Sequence, residues 1–83
     1  MAYQVILDRP DAYRVLLEEY PEGTYVDVFE TKTSEGPYKD YLQDDLAMAM
    51  HACRLDFGVE PADWCEVPDE NWHGRKREGG VRA

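Results

Sequence analysis

The sequence predicts a small α+β domain: an antiparallel sheet of three or four strands with one amphipathic helix, spanning about residues 45–57, packed on one face. Three observations carry this expectation. Apolar, β-branched runs in the first half of the chain are separated by short turn sequences. Apolar residues recur at sustained helical spacing between Asp44 and Phe57. Eighty-three residues suffice for one modest core and not for two.

The elements follow in order. Tyr3-Gln4-Val5-Ile6-Leu7 is an apolar run ended by Asp8-Arg9-Pro10-Asp11. Proline cannot donate to a sheet ladder and holds the preceding residue extended, so a strand followed by a turn is expected. Residues 13–20 fit two templates. As a helix, Tyr13, Leu16, Leu17 and Tyr20 share a face, with Pro10 and Asp11 suited to its start. As a strand, Tyr13, Val15 and Leu17 alternate with Arg14, Leu16 and Glu18. The neighbours favour the strand: Pro21-Glu22-Gly23 is turn chemistry, and Thr24–Thr31 is rich in β-branched and aromatic residues. Two eight-residue runs about a three-residue turn make a hairpin; the helix stands as the alternative.

Lys32–Pro37 reads as a polar loop, and Tyr38–Leu42 as a short strand near a sheet edge, given its two charges. The best-defined element comes next. Leu46, Ala49, Met50, Cys53 and Phe57 form an apolar helical stripe; Asp44 is placed to cap its start, and Asp44 and Asp45 both complement the helix dipole. Gly58 suits a left-handed stop, Val59 can pack back, and Pro61 prevents continuation. Pro61–Trp64 is expected to make one short helical turn, with Trp64 covering the end of the main helix and Cys65-Glu66-Val67 extended.

Charge divides the chain into an acidic domain, 1–72, and a basic tail, 73–83, whose last ten residues are expected to be disordered. Residues 1–72 hold seventeen acidic and five basic side chains, a net of −12; Arg75, Lys76, Arg77 and Arg82 against Glu78 give the tail +3. An acidic globule repels a phosphate backbone, so nucleic acid is not an expected partner, and the tail alone is a weak anchor. Nothing approaches the ~18 apolar residues of a membrane span. The N-terminal apolar run is too short for a signal-peptide core and lacks a basic leader, so the expected location is cytoplasmic, with Cys53 and Cys65 as free thiols.

Chemistry-bearing motifs are sparse. His51, Cys53, Cys65 and His73 are zinc-ligand types, but residues i and i+2 of a helix point about 200° apart, so His51 and Cys53 cannot share a metal. No metal site and no cofactor are expected. The same geometry argues against a His51–Cys53 nucleophilic pair. No glycine-rich phosphate loop, Gly-x-Ser-x-Gly turn or His-Glu-x-x-His helix is present, so an enzyme is not the expected reading. The pairs Glu18-Glu19, Asp44-Asp45 and Asp69-Glu70 read as caps or solvated faces. The aromatic residues could stack bases only beside basic grooves, and their neighbours are acidic; tyrosines among carboxylates suit a basic protein surface. The expected function is a small acidic protein-interaction module (an inhibitor, immunity-type or adaptor protein) binding a basic protein partner, with Tyr25, Asp27, Tyr38, Asp40 and Tyr41 as candidate binding residues. The alternative is a very small enzyme or enzyme accessory subunit using Cys65.

Overall fold

A computed structural model describes residues 2–73. Five antiparallel strands form one sheet in the order β4-β3-β2-β1-β5, so the α+β class stands with five strands in place of three or four. The strands are β1 (Ala2–Arg9), β2 (Ala12–Tyr20), β3 (Gly23–Phe29), β4 (Lys39–Gln43) and β5 (Cys65–Val67). The first four form a meander, and the fifth returns beyond the helix to pair with β1. This last strand is only three residues long and carries little apolar pattern of its own, which is why its sequence did not mark it as a sheet member.

Residues 12–20 are a strand, as the flanking turn and apolar run require. β2 is the central strand, and Val15, Leu16, Leu17 and Glu18 are all buried, so both of its faces are covered. A strand covered on both faces need not alternate in polarity, and that is the origin of its helix-like apolar spacing. The β2–β3 connection is tighter than a three-residue turn: Gly23 pairs with Tyr20, leaving Pro21 and Glu22 as the loop. In the β1–β2 hairpin the register shifts between Ile6 and Arg9, with Asp8 in a left-handed conformation (φ 54). Such a bulge re-aims the strand end.

Helix α1 (Leu46–Phe57) is capped by Asp45 rather than Asp44: the Asp45 backbone is extended and its Oδ1 accepts the Met48 N–H at 2.9 Å. Gly58 ends it in the left-handed region (φ 73), donating to the Arg54 carbonyl, while Val59 packs back and is buried. Pro61–Asp63 forms a single 3-10 turn.

Alternation sorts the side chains onto two faces. Val15, Leu17, Val26 and Val28 meet Ala49 and Cys53 of α1, with Leu46, Met50, Phe57, Tyr41 and Trp64 packed around them. Small residues at the centre of the helix stripe let its backbone approach the sheet closely. The opposite face carries a second, smaller cluster of Ala2, Leu16 and Phe29, covered by Val67 and Trp72 from the end of the described chain. A sheet predicted to have one covered face therefore has two.

Candidate functional site

The second sheet face is where polar side chains are buried. Register dictates which of them meet. Gln4, Leu16, Asp27 and Asp40 are successive cross-strand partners from β1 to β4, and Ala2, Glu18, Tyr25 and Leu42 form the next row. Asp27 thus sits directly opposite Asp40, and Glu18 opposite Tyr25. Like charges at directly opposed positions destabilise a sheet unless a cation or donor stands between them.

The segment following β5 supplies these donors. Glu18, fully buried on β2, accepts the backbone N–H groups of Glu70, Asn71 (2.9 Å) and Trp72 (3.3 Å), and the Tyr20 hydroxyl at 3.2 Å. Three successive N–H groups converge on one carboxylate because Asn71 adopts the left-handed conformation (φ 57), which asparagine tolerates well. The side chains of the segment bind in turn. Arg14 makes a two-pronged contact with Glu70 (2.8 and 3.2 Å), donates to Gln4 Oε1 at 3.0 Å and lies 4.0 Å over the Phe29 ring. That guanidinium holds the Glu70 carboxyl below its usual range, helped by the Trp72 indole N–H at 2.7 Å.

His73 completes the arrangement. Its ring stacks on Tyr25 at 3.8 Å between centroids, nearly parallel, and its Nε2 lies 2.7 Å from Asp27 Oδ1 and 4.0 Å from Asp40 Oδ2. Its backbone N–H donates to the Tyr20 hydroxyl at 3.2 Å. Asp27 is fully buried, and its second oxygen, Oδ2, has no hydrogen-bond partner among the described residues. Burial pushes the Asp27 carboxyl up to about 6, against the lowering influence of His73 and with Glu18 and Asp40 adding to the rise. His73 is the first residue of the expected basic tail, and it is docked against the sheet; the expected disorder of residues 74–83 lies outside the described residues.

The five candidate binding residues separate in space. Tyr25, Asp27 and Asp40 come together beneath His73, with only Asp40 exposed. Tyr41 lies on the helix face, its hydroxyl donating to Asp56 at 3.3 Å; burial and Asp56 raise that phenol to about 12. Tyr38 precedes β4, half exposed, its hydroxyl on the Asp11 carbonyl at 2.7 Å. Glu18, Arg14, Tyr20, Glu70 and His73 were not among the candidates. The hairpin alone placed Glu18 and Asp27 on one face, but nothing local in the sequence indicated that the segment 68–73 would cover them.

The remaining chemistry is external. Of the seventeen carboxylates in residues 2–73, only Glu18 and Asp27 are buried. Met48 (47% exposed) and Leu55 (72% exposed) lie on the outer face of α1 two turns apart, with Ala52 between them, Asp44 and Asp45 at the start of the helix, and Asp56 on its β4 flank. Cys53 is buried; Cys65 is exposed, its Sγ meeting the Glu66 carbonyl at 3.9 Å. His51 is exposed on α1. No helix among the described residues is long and apolar enough to cross a membrane. No protein-family model, curated protein or solved structure matches this chain.

Proposed function

We propose that the chain is a small acidic protein-interaction module, and that it binds a basic protein partner through the outer face of α1. The observation that carries this reading is the exposure of Met48 and Leu55, two large apolar side chains on one line of the helix, within a border of Asp44, Asp45 and Asp56. Interfaces pair an apolar centre with a polar rim, and a few large side chains supply most of the affinity. The rim here has one sign on the β4 side, and the domain as a whole carries −12 over residues 1–72. Such a field repels acidic partners and draws basic ones inward, raising the association rate most at low salt. The earlier candidates Tyr25, Asp27 and Tyr41 contribute little to this surface, being covered by His73 or turned toward the helix; Tyr38 and Asp40 are exposed, but Asp40 lies beside His73 on the sheet face away from α1.

The test begins with capture from extract of the source cell, elution by a salt gradient, and reconstitution with the basic protein recovered. At two exposed positions, Asp44→Lys, which reverses a rim charge, is expected to slow association at low salt, and Leu55→Ala, which removes an apolar anchor, to weaken affinity by about tenfold through faster dissociation. Glu35→Lys, in the loop between β3 and β4, serves as the control. An association rate that stays flat with ionic strength, or binding that ignores both helix-face variants, would overturn the reading.

A further inference from the structure

We propose that Asp27, Asp40 and His73 form a binding site for one divalent transition-metal ion, with Zn2+ as the best-matched species. One oxygen of each carboxylate and one ring nitrogen of His73 all lie within 4.8 Å of one another. Zinc donors at 2.0–2.2 Å from the ion stand about 3–3.5 Å apart, and the present separations of 2.7 and 4.0 Å from His73 Nε2 bracket that spacing. Shifts of about 1 Å in side chains alone therefore close the site.

The donors come from three independent parts of the chain. Asp27 and Asp40 are fixed opposite one another by the β3–β4 register, and His73 is delivered by the segment that Glu18 secures. This differs from the His51, Cys53, Cys65 and His73 set that spacing excludes, since it needs neither cysteine nor the helix. The second observation pointing to a cation is the Asp27 carboxylate. It is fully buried, faces a like charge across the sheet, and keeps one oxygen without a hydrogen-bond partner among the described residues. Buried carboxylates are stable when paired or metal-bound. His73 offers one imidazole nitrogen, which cannot serve both carboxylates equally at 2.7 and 4.0 Å, whereas a dipositive ion between the three would.

The surroundings suit a metal that keeps an open position. Tyr25 stacks flat on the imidazole and Tyr20 meets it edge-on, and the His73 backbone is tied to the Tyr20 hydroxyl, so the ring is oriented before any ion arrives. Asp40 is 46% exposed, giving both an entry path and a side where water completes the coordination. One imidazole with two carboxylates favours a borderline ion over calcium or magnesium, which take all-oxygen shells.

The experiment uses the untagged 83-residue chain freed of metal with a chelator and titrated with Zn2+ by calorimetry and with Co2+ by visible absorption. Expected are one ion per chain, a rise in Tm of about 5 °C or more at saturating Zn2+, and a loss of affinity of at least about tenfold in Asp40→Asn and in His73→Ala. Asp40→Asn changes an exposed side chain and keeps the test valid should His73→Ala loosen the fold. His51→Ala and Cys65→Ser are expected to bind as the parent does. Absence of saturable binding overturns the proposal, as does affinity that survives both ligand variants or that disappears only with His51 or Cys65.

Discussion

The carboxylate of Glu18 accepts the backbone N–H of Trp72 at 3.3 Å, joining the central strand to a residue 54 positions later in the sequence. With the neighbouring N–H groups of Glu70 and Asn71 and the Tyr20 hydroxyl, it uses its acceptor positions on the segment that closes the second face. Hydrogen bonds to a charged group contribute about 1.5–3 kcal/mol each when nothing replaces them. Glu18→Ala is therefore expected to cost about 2–4 kcal/mol, and to release Trp72 from Phe29. A domain of this size has only about 4–12 kcal/mol in total, so the variant should be marginal. Urea denaturation followed by Trp72 fluorescence in a Trp64→Phe background checks both effects; an unchanged midpoint would show that water replaces the carboxylate without loss.

How much of this was readable in the sequence depends on how local each cause is. The helix was, because its stripe, its glycine stop and the following proline lie within sixteen residues of one another. Only its cap moved, from Asp44 to Asp45, two adjacent aspartates that composition cannot separate. The β2–β3 hairpin was readable from its turn, even though β2 mimics a helix. The second face was not. Its closure depends on Glu18 meeting residues 70–72, and such a long-range pairing leaves no periodicity behind. Asp27 and Asp40 meet only through the β3–β4 register, which the nine-residue loop between the strands conceals.

The two thiols should differ sharply in reactivity. Cys53 is fully buried between α1 and the sheet, and burial, with Asp56 nearby, pushes its thiol up to about 12. The thiolate is the reactive form, so native protein should consume one equivalent of an aromatic disulfide reagent quickly, at Cys65, and the second only on unfolding. Mass spectrometry of peptides from briefly labelled protein assigns the site. Fast native labelling of Cys53 would mean that α1 does not lie on the sheet as described.

Two glycines with positive φ should respond unequally to alanine. At Gly58 (φ +73) an added Cβ meets nothing within 4 Å, so only the left-handed backbone penalty applies, about 1 kcal/mol. At Gly23 (φ +147) the Cβ would lie 2.3 Å from the Gln43 carbonyl oxygen. That oxygen belongs to the backbone of β4 and cannot move aside without parting β4 from β3. Gly23→Ala is expected to cost about 3 kcal/mol or more, combining backbone strain with the clash. Thermal denaturation of the two variants, side by side, distinguishes the mechanisms; equal losses would show that the β3–β4 pairing yields easily.

The stability of the metal-free protein should carry the signature of Asp27. Burial pushes its carboxyl up from the ordinary 3.8 to about 6, opposed by His73 and reinforced by Glu18 and Asp40. Between those two values the folded state binds more protons than the unfolded one, so stability falls as pH rises through this window. The contribution of the neutral acid is fully present below about 4 and lost above about 6. Asp27→Asn keeps the shape and the hydrogen-bonding reach to His73 but cannot ionise. The difference in unfolding free energy, variant minus parent, is therefore expected to grow in favour of the variant from about pH 4 to about pH 7 and then level off. Each pKa unit is worth about 1.4 kcal/mol, so the full span is at most about 3 kcal/mol. Taking the difference cancels the titration of distant carboxylates that both proteins share. Urea midpoints measured across this range in the presence of chelator supply the test. A difference that stays constant with pH would show that Asp27 ionises without cost, and a difference that grows toward low pH would reverse the sign of its coupling to the fold.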